Sequence, residues 1–203
     1  MTISKSEIND LLTIIQRAYP SFYGRANAQT KKAVVSLWQE MLDGEEFEKV
    51  AIAVRAVIET DQSGYPPTIG KIKNKVHSLF DKRDMNEYEA WALVSQALKN
   101  SAYNSTGEFE LLPAIVKRSI GSPETLKRWS CICDPTSLHV ASTGFMKRYR
   151  EELDTEREYR VLSPTVKELV GKAKNGEALG DGEKNLLGIG EDTDFKNGDT
   201  EDE

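Results

Sequence analysis

Cysteine and histidine are scarce in this chain, and each scarcity removes a class of function. Cys131 and Cys133 are the only two cysteines among 203 residues. With a single residue between them a local disulfide would be strained, so the sequence points to a reduced, cytosolic setting. His77 and His139 are the only histidines, and neither lies near a nucleophile pattern, so no catalytic residue is expected. No glycine-rich loop leads into Lys-Ser/Thr, which excludes an ATPase core within this sequence. Cys131, Cys133 and His139 are too few to close a zinc site, and they read as two ordinary thiols and an isolated imidazole; no metal or cofactor is expected. No window approaches the roughly 18 apolar residues of a membrane span, and the amino terminus has no apolar run of signal-peptide length. The expectation is a soluble, intracellular, non-enzymatic protein.

Charge is plentiful but unevenly placed. Apolar residues make up 38% of the chain and charged residues 30%, so part of the sequence is not expected to enter a core. From Asn175 to Glu203 ten acids face two lysines, a local charge of −8 in a chain whose total is −6. The remainder is close to neutral, with 25 basic and 23 acidic side chains. That balance neither demands nor excludes nucleic acid.

Helical periodicity fills the chain to Tyr159, and no alternating β-branched stretch argues for a strand. Ser4 and Glu7 have capping-box spacing and open a helix with Ile8, Leu11, Leu12 and Ile15 on one face, ending at Tyr19-Pro20. A loop over 21–26 is expected to tuck Phe22 and Tyr23 under the helices. Val34, Leu37, Trp38 and Met41 mark the apolar face of a second helix. Asp43 and Glu46 have capping-box spacing and open a third, which carries Phe47, Val50, Ala51, Val54 and Ile58. The short turn between those two predicts a helical hairpin. Pro66-Pro67 fixes an extended approach and Thr68 caps a fourth helix, whose Ile69, Ile72, Val76 and Leu79 face inward while Lys71, Lys73 and Lys75 point away.

The apolar-free Asp81-Lys82-Arg83-Asp84 marks a module boundary, giving an amino-terminal helical bundle over 1–83. Asn86 and Glu89 begin a second helical module over 84–162. Trp91, Val94, Ala97 and Leu98 lie on its first helix, a polar, turn-rich stretch covers 100–107, and Leu112, Ile115, Val116 and Ile120 precede a stop at Gly121. Ser122-Pro123 and Asp134-Pro135 start further helices, with Leu126 and Trp129 on the first and Phe145, Tyr149 and Leu153 on the second. Residues 163–203 read as a weakly helical segment with Val166, Leu169 and Val170, then a disordered acidic tail from about Asn175. The fold class is all-α.

Partner-binding candidates are Lys147, Arg148, Tyr149 and Arg150, an aromatic among cations, and Phe195 in the anionic tail. Such a tail can compete with DNA for a basic channel on a partner. On amphipathic helices cations are more often only the solvated face, and Trp38, Trp91 and Trp129 lie on apolar faces, where packing is their ordinary role.

The fold-defining stretch runs from Trp38 through Phe47 to Pro66, Pro67, Thr68, Ile69 and Lys73. With Met41-Leu42, Val50-Ala51, Tyr65 and Ile72 it resembles the replicative helicase loader/inhibitor proteins of tailed bacteriophages that infect Gram-positive bacteria. The following module, through Glu89-Ala90-Trp91, Leu112-Pro113, Ile120-Gly121, Trp129, Phe145 and Tyr149, is similar to a segment that often accompanies that domain in such phage proteins. The resemblance implies an adaptor that binds the hexameric DnaB-type replicative helicase, suppresses its ATPase and DNA binding, and delivers it to an origin bound by the phage initiator. It further implies a location in the cytoplasm of the infected host, weak direct nucleic-acid binding, no membrane partner and a monomer when free. Rival classes are a DNA-binding initiator or replisome organiser, against which the near-neutral folded region weighs, and an inhibitor of a host protein.

Overall fold

A computed structural model describes residues 3–23 and 28–187. Every regular element among them is a helix, so the expected all-α class holds. The first five are α1 (Lys5–Ala18), α2 (Pro20–Tyr23), α3 (Ala28–Met41), α4 (Phe47–Thr60) and α5 (Ile69–Phe80). Then come α6 (Glu87–Glu110), α7 (Ala114–Ile120), α8 (Pro123–Ser130), α9 (Pro135–Arg160), α10 (Pro164–Lys174) and α11 (Asp181–Leu186).

Local chemistry sets most helix starts. The Ser4 hydroxyl accepts from the Glu7 amide while the Glu7 carboxylate accepts from the Ser4 amide, and Asn86 and Glu89 repeat the arrangement. Thr68, Ser122, Asp134 and Ser163 each accept a backbone N–H at the start of α5, α8, α9 and α10. The Asp43–Glu46 capping box does not form. Glu46 is the residue before α4, but its side chain makes no capping bond and pairs with Lys49 at 2.9 Å instead.

Buried apolar side chains fall into two clusters. Ile8, Leu11, Ile15, Val35, Trp38, Leu42, Val50, Val54, Ile72 and Val76 fill the first, from α1, α3, α4 and α5. Val94, Ala97, Leu112, Val116, Leu126, Trp129, Phe145 and Tyr149 fill the second, from α6 to α9. Within the first, α4 pairs with α5, and α1 packs on α3 and α4. The expected hairpin of the second and third predicted helices is therefore replaced by α4–α5, and α3 turns its buried face towards α1.

Several sequence expectations change in detail. The buried stripe is Val35 and Trp38 of α3 with Leu42 just beyond its end, and Leu37 is exposed. Residues 21–23 belong to the short α2 rather than to a loop, and 24–26 lie outside the described residues; Phe22 is 52% exposed, its ring 5.3 Å from that of Tyr65. Leu79 is exposed, whereas Lys73 is only 5% exposed. The 100–107 stretch is helical apart from Asn104, whose φ of −136° and ψ of 54° kink α6; its side-chain oxygen accepts from the Gly107 amide and restarts the helix. Residues 175–187, expected to be disordered, include α11, where the Glu183 carboxylate accepts from the Gly180 amide and pairs with Lys172. No side chain of α11 is buried, so hydrogen bonds and ion pairs hold it in place of a core.

Polar contacts join the end of α9 to the segment between the clusters. Asp84 accepts from Arg157 at 2.8 Å and Arg160 at 2.9 Å, and the Arg160 carbonyl accepts from Lys167 at 2.9 Å. Gly44, with φ of +87°, turns the chain between α3 and α4 against the Pro164 ring at the start of α10. A side chain there would be strained by the backbone and would meet that ring.

Candidate partner-binding surface

The cations singled out on α9 divide around the helix. At about 100° per residue, Arg148 and Arg150 lie roughly 200° apart, on opposite flanks of the buried stripe of Phe145, Tyr149 and Leu153. Lys147, Arg148 and Arg150 are not buried, and none belongs to an ion pair among the described residues. Arg148 sits over the Trp129 ring, 5.8 Å from its centroid, a contact that orients the guanidinium at the edge of the second core.

Tyr149 does not belong to that surface. It is 1% exposed, stacks on Phe145 at 5.9 Å, and donates its hydroxyl proton to the Met85 carbonyl at 2.9 Å. Burial first, then the carboxylates of Asp84, Glu156 and Glu89, push its phenol above the ordinary value. Its place at helical spacing from Phe145 and Leu153 is the sequence signal for this core role. Phe195 lies outside the described residues.

A feature that periodicity does not reveal is the scarcity of acids on the helical stretches that carry these cations, with Glu124 of α8 and Glu151 beside Arg150 as exceptions. The first half of α9, from Pro135 to Arg150, contains no acid, and neither does α6 between Ala90 and Gly107. Lys99, Lys127, Arg128, Lys147, Arg148 and Arg150, on these helices and on α8, have no ion-pair partner among the described residues. At the other end of α9 the charges neutralise one another: Arg118 bonds Glu152 and Glu156, and Arg157 and Arg160 bond Asp84. Burial alone would raise the Asp84 carboxyl, but the two guanidinium hydrogen bonds outweigh it and lower the carboxyl below its usual range. One end of the second cluster is thus internally compensated and the other offers free positive charge.

The first cluster holds its charges inside. Lys73 donates to the Met41 carbonyl at 3.1 Å, satisfying the end of α3, with the Glu45 carboxylate 4.0 Å away. Burial lowers its ammonium pKa, the Glu45 charge opposes that shift, and Lys167 adds to it. Asp61 accepts from Lys71 at 2.7 Å, Tyr19 at 3.0 Å and Ser63, with only 4% of its side chain exposed. Hydrogen bonding from Lys71 is the largest effect on this carboxyl and holds it far below its usual range. His77 hydrogen-bonds Asp81 through Nδ1 at 2.9 Å, and its Nε2 is 3.6 Å from Glu45 with no hydrogen-bond partner. His139 is exposed on α9. Among the described residues no group of three or more His, Cys, Asp or Glu is placed to hold a metal ion, and Cys131 and Cys133 are free, exposed thiols. No described helix is long and apolar enough to cross a membrane.

Most of the first core, as far as Lys73 in α5, falls within a stretch that matches a known domain. Residues 1–73 match the family model for the amino-terminal domain of a phage helicase loader/inhibitor. The match runs from before α1 to Lys73 inside α5. The second core and the tail lie beyond it. No curated protein and no solved structure matches the chain.

Proposed function

We propose that the protein is a phage replication adaptor that binds the hexameric DnaB-type replicative helicase, suppresses its ATPase and DNA binding, and delivers it to an initiator-bound origin in the host cytoplasm. The observation that carries this reading is the match of residues 1–73 to the loader/inhibitor amino-terminal domain. The loader/inhibitor family is one of non-enzymatic adaptors, which accords with the role.

Inhibition of this kind requires higher affinity for a helicase state that cannot translocate, and release requires a competitor that favours another state. In this reading residues 1–83 form the loader/inhibitor unit, 84–162 a second unit, and 163–203 an acidic extension. Lys147, Arg148 and Arg150 offer unpaired positive charge to an acidic patch, and Phe195 lies in a segment suited to a basic channel. Adding the purified protein to its cognate helicase should lower single-strand-stimulated ATP hydrolysis and yield a co-migrating complex. Unchanged hydrolysis with no complex would sink the proposal.

A further inference from the structure

A groove runs between α1 and α3, formed by two adjoining cavities of about 270 and 500 Å³ that share Asn9, Lys31 and Val35. One part has an apolar floor of Leu12, Val34 and Val35, and the other is edged by Lys5, Lys31 and Lys32. Among the described residues no acidic side chain lines either cavity and none of the three lysines is in an ion pair. A ligand that satisfies both parts carries carboxylates beside a large apolar side chain.

The chain contains such a segment. Residues 191–203 hold seven acids against Lys196, with Phe195 preceded by Glu191, Asp192 and Asp194. Sixteen residues follow Leu187, an extended reach of about 50 Å. Lys5 lies two residues from Ile3, whose carbonyl accepts from Gln39 of α3 at 2.9 Å, while Lys31 and Lys32 lie near the start of α3; Gly44 just beyond α3 packs on Pro164 of α10, which leads to the tail.

We propose that residues 191–203 of the same molecule dock in this groove, with Phe195 on the Leu12–Val35 floor and the carboxylates on Lys5, Lys31 and Lys32. The contact masks the tail from partners in the free protein. It does not depend on the helicase reading, because it concerns the isolated chain.

Paramagnetic relaxation tests the contact in the full chain, with a spin label on Asn197→Cys after Cys131→Ser and Cys133→Ser. At about 0.01 M salt, where charges act over about 30 Å, amides of 9–16 and 31–36 are expected to broaden. At about 1 M salt, where that range falls to about 3 Å, most of the broadening should vanish. Lys31→Glu with Lys32→Glu, both exposed and so compatible with folding, should remove it at low salt. Asp192→Asn with Asp194→Asn, which alters no described residue, should weaken it several-fold. Three outcomes overturn the proposal: no broadening of α1 and α3, broadening centred instead on Lys147–Arg150, or broadening seen only between labelled and unlabelled molecules in a mixture, which would assign the groove to a second copy.

Discussion

The two hydrophobic clusters use different side chains. The first is mainly aliphatic, with Trp38 and Tyr19 at its margin, and it admits Lys73 and Asp61 into its boundary. The second is centred on aromatics: Trp91, Trp129, Phe145 and Tyr149 have neighbouring ring centroids 5.5 to 6.4 Å apart, across α6, α8 and α9. Aliphatic packing loses little by admitting a satisfied polar group at its edge, whereas aromatic packing adds directional contacts between rings. The first region thus adds hydrogen bonds to buried charge at the edge of its aliphatic packing, and the second adds contacts between rings.

Phe145→Ala should be the most damaging single change. Phe145 is fully buried and contacts three other rings, so truncation should cost about 3–5 kcal/mol. Residue-resolved amide exchange should show the loss in α6, α8 and α9 while α1, α4 and α5 keep their protection. A uniform loss across both regions would make them one cooperative unit and erase the distinction between them.

Gly44→Ala probes the contact between the first region and α10. Its φ of +87° and the approach of an added Cβ to within 3.0 Å of the Pro164 ring predict about 1–2 kcal/mol of strain. Exchange in α10 should rise together with that in α4. Protection of α10 left unchanged would show that the Pro164 contact is not what positions that helix.

Legibility follows locality. Ser4–Glu7, Thr68, Asn86–Glu89, Ser122 and Asp134 act within one turn of their own helices, and spacing alone locates them. The α3 face is ambiguous in the sequence because Val34-Leu37-Trp38-Met41 and Val35-Trp38-Leu42 are both helical stripes through Trp38, and only packing on α1 selects the second. Lys73 reads as solvent-facing for a related reason. Its partners, the Met41 carbonyl and Glu45, are about thirty residues away in sequence and leave no periodic trace. The cations of α9 are visible as a run, yet their division around the helix follows from which face Phe145 and Tyr149 bury.

Asp61 supplies the finest test, because its effect is confined to acid. Lys71 holds its folded carboxyl far below the ordinary value of 3.8, so the folded state keeps the charge at pH values where the unfolded chain binds a proton. The stabilisation is complete above 3.8 and is lost progressively as pH falls below it towards the depressed folded value. Asp61→Asn removes that dependence. With Trp91→Phe and Trp129→Phe, Trp38 becomes the sole tryptophan and reports on the first region alone. Urea midpoints followed by its fluorescence should then fall more steeply from pH 5 to pH 3 when Asp61 is kept than in the Asp61→Asn variant, on the unperturbed carboxylate scale of about 4. Parallel curves would mean that the Lys71, Tyr19 and Ser63 contacts contribute nothing measurable, and that the first region is held by its aliphatic packing alone.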